Sequence, residues 1–193
     1  VIALLAGLGI GFVLFRPKEL VSGDLYWIKK QAGNVLFAAV DCTGHGVPGA
    51  MVSMVGHNEL NRAVVEFGLS NPGEILGKLN ELVQQAFHKK EHQAVSDGMD
   101  LALCAYNPET RIIEFAGANN PMYIVRHHGT AEPQPLSSNA SRVAAVNGAW
   151  HLLEVKGTKR PIGPHEREAD FSSHTIQLQQ GDSVYLFSDG YAD

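Results

Sequence analysis

The stretch AVDCTGHGVPGAM, residues 39–51, joins an apolar strand to a helix through an acid and a glycine-rich turn. Residues 35–40 read as a strand that ends on Asp41; Gly44 and Gly46 let the chain turn, and Pro48 opens a helical pattern. A strand end fixes a carboxylate at the mouth of a sheet. The glycines beside it let backbone or solvent oxygens approach the same point.

Working outward, strands are predicted at residues 12–16, 25–29, 99–106, 111–116, 122–126, 150–155, 171–176 and 183–187, from β-branched and aromatic runs bounded by Gly, Pro, Asn or Asp. Asn107 and Pro108 mark a tight turn between two of them, a hairpin. Two helices lie between the strands. The first, 48–67, carries Met51, Val52, Val55, Leu60, Ala63, Val64 and Phe67 on one face. The second starts with Asn71 as cap and Pro72 at its first position, then runs Ile75, Leu76, Leu79, Leu82, Val83, Ala86 and Phe87 as an apolar stripe. Residues 128–148, with Pro133, Pro135 and Asn139, read as a surface loop. Strands, then two adjacent helices, then strands again do not alternate as a doubly wound parallel sheet requires. The expectation is an α+β fold with helices on mainly antiparallel sheet.

The 193 residues suffice for one domain with a sizeable core, and 45% apolar with 18% charged residues is ordinary for a globular protein. A net charge of −5 with scattered Lys and Arg argues against nucleic acid as a partner. Cys42 and Cys104 both fall in apolar runs, as buried thiols do, which points to a reducing, cytoplasmic setting. The uncharged start, VIALLAGLGIGFVLF, is shorter than the roughly 20 residues a membrane-spanning helix needs, and Gly7, Gly9 and Gly11 interrupt it. It is read as a strand at 12–16 preceded by the end of an upstream element or linker at 1–11, with the domain itself covering 12–193. Any membrane link then runs only through upstream regions.

Three acidic motifs stand out: Asp24 after Gly23, Asp41, and Asp189 with Asp193 in YLFSDGYAD. Singly, each Asp beside a glycine reads as a turn cap. Together, two of them at the ends of apolar strands, they suit a hard divalent cation, which takes oxygen ligands and keeps several waters.

The blocks FVLFRPKELVSGDLYW, DCTGHGVPGAMVSMVG, DGMDLALCAYNPETRIIEFAGANNPMYIVR, KRPIG and LQQGDSVYLFSDGYAD resemble, in order and over nearly the whole chain, the SpoIIE-type branch of the metal-dependent (type 2C, PPM) serine/threonine protein phosphatases. The resemblance implies a four-layer α-β-β-α sandwich with two Mn2+ or Mg2+ ions at one edge. It implies that Asp41 bridges both metals, that the Cys42 main-chain carbonyl ligates one, that Asp189 ligates the other, and that Asp24 acts through a water. Two cations neutralise phosphoryl oxygens and lower the pKa of a bridging water, so no covalent enzyme intermediate is needed.

Asp97 and Asp100 fall where some members add a carboxylate to a third, weaker metal, and equally where a strand would be capped. His45 lies four residues after Asp41, whereas eukaryotic members place a proposed general acid two residues after the bridging Asp. That role is not carried over, and His45 stands between stiffening the turn and a functional part. The family pattern has a further acid after the SDG block, so the domain is expected to be incomplete at its C-terminus, with Asp193 near the missing segment.

The resemblance further implies the output domain of a bacterial-type signalling protein acting on a phosphorylated protein, such as an anti-sigma-factor antagonist. The alternative is a catalytically deficient module that keeps the fold and binds a partner. A zinc peptidase reading rests on HKKEH, His88 to His92, at the end of the second helix, where His and Lys also suit the negative end of the helix dipole.

Overall fold

The computed structural model describes residues 2–7, 10–17, 20–88, 98–129, 136, 141–165 and 170–189. Its elements are β1 (Ile2–Gly7), β2 (Ile10–Phe15), β3 (Leu25–Gln31), β4 (Asn34–Cys42), α1 (Gly46–Val65), α2 (Pro72–His88), β5 (Met99–Asn107), β6 (Ile112–Ala118), β7 (Met122–His127), β8 (Ser141–Asn147), β9 (Trp150–Val155), β10 (His174–Gln177) and β11 (Ser183–Phe187). A six-stranded sheet in the order β2-β1-β11-β7-β9-β8 faces a five-stranded sheet in the order β10-β6-β5-β4-β3. The pairings are antiparallel throughout. Both helices pack on the five-stranded sheet. The α+β sandwich of two antiparallel sheets is therefore as expected, and the described residues supply one of the two helical layers.

Period-two alternation organises two cores. In β4, Leu36, Ala38, Val40 and Cys42 face the helices, where they meet Val52, Leu60, Ile75, Leu76 and Leu79. Phe37 and Ala39 face the other sheet and meet Cys104, Phe115, Met122, Ile124, Val184 and Leu186. Burial on both faces explains why β4 reads as a continuous apolar run. Its register is set by a two-residue hairpin from β3, in which Ala32 and Gly33 have φ of 49° and 82°, the left-handed pair that matches strand twist. The predicted hairpin after β5 is present, with the Asn107 side chain accepting from the Glu109 and Thr110 amides at 3.0 Å each.

α2 starts as expected: Asn71 Oδ1 accepts from the Gly73 and Glu74 amides at 3.0 and 3.3 Å. α1 departs from its predicted face. Its buried residues are Gly46, Gly49, Val52, Gly56, Leu60, Ala63 and Val64, whereas Met51 and Phe67 point outward. Glycines bring this helix close to the sheet: a Cβ on Gly56 would lie 3.0 Å from the Met99 sulfur.

Three further expectations need correction. Residues 2–7 are not an upstream element but an inner strand, β1, hydrogen-bonded to β2 on one side and β11 on the other. The loop expected over 128–148 contains β8, an exposed edge strand paired with β9 through a bulge between Val143 and Ala145. The strand expected at 171–176 begins only at His174, because Phe171 packs into the helix-facing core instead.

Candidate active site

The alternation that builds the inter-sheet core also builds the site. Asp41 continues the Phe37 and Ala39 face of β4, and Asp100 continues the Ala102 and Cys104 face of β5, so both carboxylates stand at the open end of the sandwich. They are direct cross-strand partners. Like charges opposite one another destabilise a strand pair, so a protein retains them only for another purpose.

Thr43 closes this end of the β4–β5 pair. Its amide and hydroxyl both donate to the Gly98 carbonyl, at 3.0 and 2.9 Å, and its Oγ1 accepts from the Gly98 amide at 3.1 Å.

Two further acids arrive from distant segments. Asp189 lies two residues past the end of β11, and its amide donates to Asp41 Oδ2 at 3.4 Å. Asp24 sits just before β3 and accepts at Oδ2 from the Ser188 hydroxyl at 2.6 Å, while its own amide donates to Ser22 Oγ at 3.0 Å. Three glycines make the close approach possible. A Cβ on Gly23 would lie 2.7 Å from the Gly44 carbonyl oxygen and 3.0 Å from that of Cys42, and one on Gly49 would lie 2.5 Å from the Gly44 oxygen. The loop before Asp24, the turn after Asp41 and the start of α1 thus touch backbone to backbone.

The electrostatics follow from this crowding. Asp41 is pushed up to about 7, first by burial, then by its hydrogen bond to Asp189 and the charges of Asp24 and Asp189. Asp100 is also raised, by burial and by Asp189, against the opposing effect of Asn119, whose Nδ2 donates to Asp100 Oδ1 at 2.8 Å. Asn119 reaches it from a left-handed backbone, φ 59°, which asparagine tolerates better than most residues. The Cys42 thiol is pushed up to about 12 by burial and by Asp41 and Asp24. With its side chain in the helix-facing core, Cys42 can serve a cation only through its carbonyl.

The site therefore gathers Asp24, Asp41, Asp100 and Asp189 at one edge. Asp97 and Asp193 lie outside the described residues, as does most of the HKKEH stretch. His45 is the exposed N-cap residue of α1 and makes no capping bond with its side chain. Among the described residues, no three His, Cys, Asp or Glu side chains close around a single point. An all-oxygen, negatively charged and open donor set of this kind fits a hard divalent cation that keeps part of its water shell, rather than a closed cage.

Sequence reasoning passed over Ser188, Thr43 and Asn119. For Ser188 a signal existed: Val184 and Leu186 face the core, so the same parity points residue 188 inward.

Comparison with known proteins identifies the fold and the family. The SiaA-PP2C domain of Pseudomonas aeruginosa matches with a TM-score of 0.70 at 28% identity, over 94% of this chain and 61% of that one. The PP2C phosphatase domain of SpoIIE from Bacillus subtilis, solved with a fragment of its regulatory domain, matches with a TM-score of 0.62 at 19% identity, over 97% of this chain and 45% of that one. The fold is thus that of PP2C-type phosphatase domains.

A family model described as Stage II sporulation protein E (SpoIIE) matches residues 31–193, and the chain belongs to that family. The phosphoserine phosphatase RsbU of Bacillus subtilis (strain 168) is 25% identical over 178 residues, which are 92% of this chain and 44% of RsbU. The chain spans less than half the length of this curated relative.

Proposed function

We propose that this chain is a metal-dependent protein serine/threonine phosphatase domain, hydrolysing phosphoserine or phosphothreonine to the free hydroxyl and inorganic phosphate. The observation that carries the reading is the placement of Asp41: at a strand end, opposite Asp100, within reach of the Asp189 amide, and raised to about 7 by burial and then by its acidic neighbours. Similarity to a phosphoserine phosphatase supports the same reading.

Asp41 and Asp189, with the Cys42 carbonyl, would hold two Mn2+ or Mg2+ ions, and Asp24 would act through a water. When bound, such ions neutralise phosphoryl oxygens and make water nucleophilic near neutral pH. The chain's own residues fix the geometry. Thr43 locks the β4–β5 end, Asn119 orients Asp100, and the Gly23, Gly44 and Gly49 contacts set the distance between the acidic segments. An asparagine or alanine at any of the four acids would remove charge that nothing else at that position replaces.

The substrate we assign is a phosphorylated signalling protein of the anti-sigma-factor-antagonist kind, with this domain as the output of a longer regulatory protein in the cytoplasm. Among the described residues no helix is long and apolar enough to cross a membrane.

The test measures release of phosphate from p-nitrophenyl phosphate and from a phosphoserine peptide, with Mn2+ or Mg2+ and with excess chelator. Activity should require the metal, and undiminished turnover in chelator would overturn the reading. A catalytically deficient binding module that keeps the fold is the second reading. It predicts no turnover at any metal concentration.

A further inference from the structure

We propose that Ser188 is a positioning residue of the catalytic edge: its hydroxyl holds the Asp24 carboxylate in place beside Asp41 and Asp189. The proposal rests on the phosphatase reading above, and three observations carry it.

The hydroxyl is fully buried, and its hydrogen bond to Asp24 Oδ2, at 2.6 Å, spans 164 positions of sequence. A bond of that length from a hydroxyl to a carboxylate is of the strong, charge-assisted kind. Next, Ser188 immediately precedes Asp189, so one backbone point references two of the acids. Lastly, Asp24 itself is only half-buried, so the buried hydroxyl anchors a carboxylate at the border between core and solvent.

The backbone of residue 23 is already wedged against the Cys42 and Gly44 carbonyls. The Asp24 side chain is in turn anchored at Oδ2 by Ser188. Burial matters here because no bulk water reaches Ser188 Oγ to substitute for the lost donor.

A group that orients a ligand contributes to metal affinity without touching the metal; removing one typically costs about 10–100-fold. Calorimetric titration of the intact, substrate-free protein with Mn2+ reads this directly. Ser188→Ala should weaken Mn2+ binding about tenfold or more, with a lower rate at subsaturating metal that saturating metal largely restores. In an Asp24→Ala background the same substitution should change affinity by less than about twofold, because its acceptor is gone. Ser188→Cys keeps the volume but donates poorly, and should resemble Ser188→Ala.

A merely structural role would lower the melting temperature in both backgrounds and leave Mn2+ affinity unchanged, and that result overturns the proposal. Equal additive losses in the two backgrounds overturn it as well. An intact wild-type protein that binds no divalent cation would sink the phosphatase reading first, and this proposal with it.

Discussion

The two ends of the inter-sheet core are built by one rule and charged in opposite ways. At one end Asp41 and Asp100 face each other across β4 and β5, with Asp189 and Asp24 nearby, and acidic neighbours together with burial raise Asp41 to about 7. At the other end of β7 and β11, Arg126 and Asp182 make a two-point ion pair at 2.9 and 2.6 Å, and Asp182 also accepts from the Gln179 amide at 2.8 Å. His151, opposite Arg126 in the ladder and tilted against His128, is held below its ordinary value by burial and by the nearness of His128 and Arg126.

The far end is neutralised within the chain and closes the core. The near end carries an excess of like charge that the described interactions do not balance at Asp41. That contrast separates a stabilising polar cluster from the acidic edge proposed above as the metal site.

The largest effect should come from the near end. Asp41→Ala is expected to lower phosphatase activity by on the order of a thousandfold or more, since it removes the carboxylate through which both cations would be held. Circular dichroism should show an intact fold, because loss of one of several clustered negative charges relieves repulsion. Near-normal turnover in the variant would mean that the acidic end is not the catalytic end.

At the far end the same kind of substitution should do the reverse. Asp182→Ala leaves the Arg126 guanidinium without its carboxylate in a site where the Asp182 side chain is 1% and the Arg126 side chain 13% exposed. Breaking a buried pair from one side costs about 3–5 kcal/mol, and for a domain of this size that lowers the melting temperature by roughly 6–20 °C. Activity per folded molecule at low temperature should be unchanged. A melting temperature within a degree or two of wild type would show that the pair does not close the core.

How much of this was legible beforehand depends on whether the cause is local. The β4 pattern, the Asp41 turn, the Asn71 cap and the Asn107 hairpin are local, and periodicity with turn chemistry located them. β1 was not legible because its uncharged run is interrupted by glycines and shows no alternation, and although β2 lies next to it in sequence, its other partner, β11, is at the far end of the chain, with Ala3 paired to Phe187. β8 was hidden by exposure and by the bulge, which breaks the alternation that marks a strand. Met51 on α1 and Phe67 just past its end matched the helical period yet face outward, because the buried side of that helix is made in part by Gly46, Gly49 and Gly56, which a hydrophobic pattern does not count. In the site, the four acids were all named from sequence. The hydroxyls and amide that hold them, Thr43, Ser188 and Asn119, are polar residues without a motif of their own, and only the folded ladder brings them to the acids.

The smallest effect, and the sharpest discriminator between the two ends, is the pH dependence of stability in chelator. Asp41 titrates near 7 in the folded protein, against about 4 in an unfolded chain. Between those values the folded state binds more protons than the unfolded state. Stability therefore falls as pH rises through this window, and the penalty is complete above about pH 7. The site is half-open to solvent, so screening reduces the full effect to about 1–2 kcal/mol. Asp41→Asn cannot ionise and escapes the penalty. Metal-free wild type and variant should then melt at similar temperatures at pH 5, while at pH 8 the variant should be more stable by a few degrees. Saturating Mn2+ should reverse the order at pH 8, because a cation that neutralises the acids stabilises only the chain that still has Asp41. A gap between the two proteins that stays constant from pH 5 to pH 8 in chelator would show that the charge on Asp41 is already balanced within the chain, as it is at Asp182, and the distinction between the two ends would fall.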